Sequence, residues 1–143
     1  MAHLRFLNPL KKGSFFQCGG SILDKRTILT AAHCVHDEAK KVRDVKYAEV
    51  YLGGHNKFDD EDDKFGVTEI IYDKKYKSLE YDIAILKLDK DITYTKKIGP
   101  ICVPSSDDTP FNRLTVAGWG VLNGAGRPTQ VLREVDVDYV ERK

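Results

Sequence analysis

The sequence predicts an all-β fold, and three observations carry the prediction. Apolar residues come in short runs, several alternating with polar ones; turn formers and charged stretches separate the runs; and two later runs flank a glycine-rich loop. In chain order, the strand candidates are Phe15 to Cys18, Ser21 to Leu23, Thr27 to Thr30, Ala48 to Leu52, Val67 to Tyr72 and Ile83 to Leu88. Lys11-Lys12-Gly13, Asp24-Lys25 and Gly53-Gly54 break them apart. Thr30 to Cys34 reads as a strand end running into one helical turn, followed by the polar stretch Asp37 to Asp44. Short strands at this spacing suit a β-barrel or a β-sandwich.

The segment Ser105 to Pro110 is dense in turn formers and reads as a linker. Beyond it, Arg113 to Gly120 and Val131 to Val140 read as two strands joined by Asn123-Gly124-Ala125-Gly126. The expected organisation is therefore a first unit over 1–104, a linker over 105–110 and a hairpin over 111–143. A hairpin alone is marginal in water.

Composition narrows the function. The chain has 143 residues and a formal net charge of +1, with 23 basic and 22 acidic side chains nearly in balance. That balance comes with no basic face interleaved with aromatics, which argues against nucleic acid as a partner. No apolar run is long enough to cross a bilayer. The three cysteines are an odd count, so at least one lacks an intramolecular partner.

Two segments carry chemistry. In Thr30-Ala31-Ala32-His33-Cys34 a histidine sits between a small-residue turn and a cysteine; in Tyr81-Asp82-Ile83-Ala84-Ile85-Leu86 an aspartate opens an apolar strand. A serine hydroxyl is too weak an acid to attack an amide unaided. It needs an imidazole to take its proton, and the imidazole needs a carboxylate to fix its tautomer. His33 and Asp82 are the candidates for those two roles. No Gly-x-Ser-x-Gly occurs, and Ser21 in its strand lacks the sharp turn a nucleophile requires. His3, His36 and His55 have no such context and are expected at the surface.

These motifs resemble those of the trypsin/chymotrypsin family of serine endopeptidases. Cys18-Gly19-Gly20-Ser21-Ile22-Leu23 is similar to the family's Cys-Gly-Gly-Ser-Leu-Ile strand, and Thr30 to Cys34 matches its histidine motif. Asp82-Ile83-Ala84-Ile85-Leu86-Lys87-Leu88 differs from the aspartate motif in one residue. Ile101-Cys102-Val103-Pro104 and Val116-Ala117-Gly118-Trp119-Gly120 match two further landmarks in order. His before Asp, with serine later, is the chymotrypsin order.

The resemblance implies the first six-stranded antiparallel barrel of a double barrel, plus the opening hairpin of the second, with Met1 to Phe6 as an early strand. It also implies that residues 1–143 are a piece of a larger protein, with the first barrel incomplete at its N-terminus. The implied activity is peptide-bond hydrolysis on protein or peptide substrates, with His33 as base and acid and Asp82 as its orienter. The nucleophilic serine, oxyanion hole and specificity pocket are expected beyond Lys143, so the chain by itself is expected to be inactive. A non-catalytic homologue acting as a binding or regulatory module is the alternative.

In the resembled family the cysteines corresponding to Cys18 and Cys34 form a disulfide, which would place the protein in an oxidising, extracellular setting. Cys102 would be free here and could join a pro- or light chain in the intact molecule. Trp119 matches a structural tryptophan and is expected to pack. No cofactor or metal is expected. Some relatives bind calcium in the loop matching 54–63, where Gly54 replaces the first ligand while Asn56 and Asp63 align with later positions. The acidic run Asp59-Asp60-Glu61-Asp62-Asp63 has hard oxygen ligands enough to make calcium chemically possible, but such a run is more often a solvated loop, which is the reading favoured.

Overall fold

Alternation of apolar and polar residues at a period of two sends one side of each strand inward, and six strands use it to enclose a single core. The computed structural model describes residues 1–57, 63–78, 80–105, 112–122, 124 and 126–140. Its elements are β1 (Ala2–Leu7), β2 (Phe15–Asp24), β3 (Thr27–Thr30), α1 (Ala32–Val35), a 3₁₀ turn (Val45–Tyr47), β4 (Ala48–Leu52), β5 (Asp63–Tyr72), β6 (Ala84–Leu88), β7 (Arg113–Gly118) and β8 (Arg133–Asp138). The first six strands close into a barrel in the order β1-β2-β3-β6-β5-β4, and β7 and β8 form a separate two-stranded sheet. Each strand pair is antiparallel, and closure comes from β4 returning to β1 with Val50 opposite Leu4.

The inward residues are those the pattern marks. Ala48, Val50 and Leu52 of β4 are buried, while Glu49 and Tyr51 are not. Ala84, Leu86 and Leu88 of β6 do the same around Ile85 and Lys87. Leu4, Phe6, Ile28 and Val35 are the large side chains that the other elements bury fully. Burial of each of the valine, leucine, isoleucine and phenylalanine side chains stabilises by about 1.5–3 kcal/mol. Closing the ring also removes the exposed strand edges that an open sheet of this size would present.

Phe15 to Cys18 and Ser21 to Leu23 are parts of one ten-residue strand, β2, and not two separate runs. Gly20 interrupts the apolar pattern for a steric reason. A Cβ there would lie 2.7 Å from Ile28 Cγ2 and 3.0 Å from the Leu29 carbonyl, so β2 and β3 can approach this closely only with glycine.

The hairpin strands are shorter than the sequence suggests, and the pairing runs from Arg113–Asp138 to Gly118–Arg133. Leu114, Val116, Val135 and Val137 on it are exposed. It meets the barrel through main-chain bonds, Leu132 N to His55 O at 2.8 Å and Lys57 N to Gln130 O at 3.0 Å. Trp119 joins them by donating from Nε1 to the same His55 carbonyl at 3.2 Å. It is buried, as expected of a packing residue. The linker positions 106–110 lie outside the described residues.

Candidate active site

Strand register brings the two candidate residues together. Thr30, the last residue of β3, pairs with Ala84, the first of β6. The strands are antiparallel, so the chain leaving β3 and the chain entering β6 sit at the same end of the barrel. His33 lies three positions past Thr30 and Asp82 two before Ala84, and both therefore fall beside that rung.

The backbone on each side is shaped for the meeting. After Thr30 the chain turns into α1, a single turn of four residues whose N-cap, Ala31, offers no side-chain hydrogen bond. Orphan amides of that first turn need an acceptor from elsewhere. Asp82 supplies it, taking the His33 backbone N–H on Oδ1 at 2.8 Å. On the other side, Tyr81 holds φ at +54°, in the left-handed region that few non-glycine residues adopt. The Ile83 N–H closes a tight turn onto the Tyr81 carbonyl at 2.8 Å, which carries the Asp82 carboxylate back toward α1.

The second carboxylate oxygen, Oδ2, lies 2.7 Å from His33 Nδ1. An ionised carboxylate only accepts, so Nδ1 is the donor and the neutral ring keeps its lone pair on Nε2. Nε2 stands 3.5 Å from Cys34 Sγ. That sulfur is in a disulfide and carries no proton, so in the neutral ring the approach is a contact and leaves the Nε2 lone pair unused. The imidazole is 54% exposed and the carboxylate 20%, so the ring faces solvent while its orienter is largely covered. Burial pulls the Asp82 carboxyl upward, but the His33 ring bond, its backbone N–H and its charge outweigh this. With a further bond from the Ala32 backbone, they hold the carboxyl below its ordinary value.

A disulfide between Cys18 and Cys34 ties β2 to α1 beside the histidine, with Cα atoms 6.1 Å apart. Cys102 is free and exposed. Cys18, His33 and Cys34 cluster closely enough to suggest a metal set, but both cysteines are oxidised and offer no thiolate. Most of the acidic run considered for calcium, positions 59–62, lies outside the described residues. The described part of that loop uses the His55 carbonyl to hold the hairpin.

Two expectations are corrected. His3 is 2% exposed. It lies on the outward face of β1, but the Trp119 ring covers it at 5.5 Å between centroids, and its Nε2 donates to Gln17 Oε1 at 3.3 Å. That cover comes from a residue more than a hundred positions away, which a strand pattern cannot reveal. His36 is also buried, its Nδ1 2.7 Å from the Ala32 carbonyl and its ring against Tyr72 and Tyr76. His55 is exposed, as the sequence suggests.

A closed β-barrel with a histidine–aspartate pair at one end of its strands defines the class of trypsin-like folds, and comparison with known proteins agrees. The model of the Trypsin family matches residues 3–143. Proclotting enzyme of Tachypleus tridentatus is 36% identical over 140 residues, covering 89% of this chain and 37% of that protein. Coagulation factor IX of Cavia porcellus is 35% identical over 135 residues, covering 87% and 45%. A venom serine protease of Polistes dominula is 31% identical over 135 residues, covering 88% and 47%. A solved structure described as "Structure of GrC" superposes with a TM-score of 0.77 at 28% identity, covering 94% of this chain and 57% of that one.

The chain belongs to the Trypsin family, and the relatives it matches include a protein described as a venom serine protease. It spans less than half the length of these three relatives. Among the described residues, no helix is long and apolar enough to cross a membrane.

Proposed function

We propose that residues 1–143 carry the general base and its orienter for a secreted serine endopeptidase that hydrolyses peptide bonds through an acyl-enzyme. The observation that supports this most is the two-point engagement of Asp82, one oxygen on the His33 amide and the other on its ring. Such a grip fixes both tautomer and orientation, and presents Nε2 as the base.

In this reading a serine from outside residues 1–143 attacks the scissile carbonyl while His33 Nε2 takes its hydroxyl proton. Asp82 stays ionised and stabilises the imidazolium. His33 then gives the proton to the leaving amine, and water repeats the sequence on the ester. The first barrel, over 1–104, supplies one wall of the cleft, and the segment from 111 begins a second. No cofactor enters the reaction. The Cys18–Cys34 bridge supports an extracellular setting, and the exposed Cys102 is the point at which a pro- or light chain would attach.

Steady-state hydrolysis of peptide substrates by the intact protein containing residues 1–143 tests the proposal. Asp82→Asn should lower turnover by about 10⁴-fold, the loss known for the corresponding change in a related triad enzyme. His33→Ala should lower it at least as far. An intact protein that binds peptides without cleaving them would be a binding module instead.

A further inference from the structure

Beyond His33 and Asp82 themselves, the geometry points to His36 as a positioning residue that locks the single helical turn holding the pair together; this rests on the catalytic reading of that pair. A one-turn helix is not stable by itself, because nucleation costs more than so few hydrogen bonds return. Here α1 has no side-chain N-cap, and a helix of four residues leaves its carbonyls in need of donors from outside it.

His36, the C-cap residue, supplies one: its Nδ1 lies 2.7 Å from the Ala32 carbonyl, in a buried setting. A carbonyl only accepts, so the bond requires the proton on Nδ1. Ala32 is the residue before His33, and its backbone also hydrogen-bonds Asp82. The Ala32 main chain is thus gripped on one side by the Asp82 carboxylate and on the other by the His36 ring.

The ring is itself held. Tyr72 meets it edge-on with centroids 4.7 Å apart, and Tyr76 lies against it at 4.9 Å. Tyr72 pairs across the sheet with Ala84, the residue that also pairs with Thr30. One rung of three strands therefore fixes where β3 ends, where Asp82 precedes β6, and where the His36 ring stands. Removing the imidazole donor should take from the Ala32 carbonyl the bond that ties it to the packed His36 ring and let α1 pivot on its disulfide. The His33 ring would then sample positions away from Asp82 Oδ2.

The test is nitrogen-15-edited NMR of the imidazole protons in this chain, compared with His36→Phe, which keeps an aromatic ring and loses the donor. Exchange of the His33 Nδ1 proton with water should quicken about five- to tenfold in the variant, as expected for loss of one hydrogen bond, while the slowly exchanging amides of β3 and β6 keep their protection. Unchanged exchange at His33 Nδ1 overturns the positioning role alone. If His36→Phe does not fold, the unsubstituted chain still decides: a proton on Nδ1 of His36, coupled to the Ala32 carbonyl, supports the role. An unprotonated Nδ1 in the neutral ring overturns it. A His33 Nδ1 proton that is absent, or indifferent to Asp82→Asn, overturns the pair and with it the positioning role.

Discussion

His33 and Asp82 are 49 positions apart in sequence, yet the aspartate meets the histidine twice, once at its backbone amide and once at ring Nδ1. The double contact makes the carboxylate both a helix cap and a tautomer lock. It also gives the pair an acid signature. The folded Asp82 carboxyl titrates below its ordinary value of 3.8. Its contribution is therefore present above that pH and is lost as pH falls through the folded value. Urea melts between neutral pH and the acid limit should show Asp82→Asn destabilised at neutral pH, with a shallower decline below about pH 4 than the parent chain.

How the pair comes together was legible only in part. The two motifs name the residues, and the period-two patterns around Val50 and Leu86 name the core. The rung from Thr30 to Ala84 that brings the motifs together depends on register, which no single strand encodes. The burial of His3 and His36 is not written in their own segments, because the residues that cover them, Trp119 and the Tyr72–Tyr76 pair, arrive from other parts of the chain.

The two glycines of the Cys-Gly-Gly-Ser motif should behave differently. An alanine Cβ at Gly20 meets Ile28 and the Leu29 backbone, whereas at Gly19 it meets only the flexible end of Met1 at 2.7 Å. Gly20→Ala should destabilise the barrel by about 1–3 kcal/mol, as overpacking of a close strand contact does. Gly19→Ala should cost less than half as much. Paired denaturant midpoints would check the ranking; equal losses would contradict it.

Reducing the Cys18–Cys34 disulfide should lower stability by about 3 kcal/mol, the chain-entropy value for a loop of this length. Because the bridge anchors α1 next to His33, the loss should be concentrated there. Hydrogen exchange with and without reductant should show the amides of Cys34 and Val35 losing more protection than those of Leu86 and Leu88.

Burial of the His3 imidazole lowers its pKa from 6.5; the Gln17 bond opposes this in part, while the charges of Arg5 and Lys57 add to it. The unfolded chain therefore takes up this proton at a higher pH than the folded one does. Stability from the neutral ring is complete above about pH 6.5 and declines as pH falls toward the folded value. His3→Phe, which keeps a ring against Trp119, should flatten the dependence of unfolding free energy on pH across that window. An unchanged slope would mean that His3 binds its proton equally well in the folded and unfolded chain.

Labelling the intact protein with a serine-directed phosphonate, followed by peptide mapping, tests the central claim most directly. The account predicts stoichiometric modification of a single serine outside residues 1–143, abolished by His33→Ala and strongly slowed by Asp82→Asn. It also predicts that residues 1–143 alone take no label. Modification of a serine within residues 1–143, or labelling that persists at full rate in His33→Ala, would contradict it.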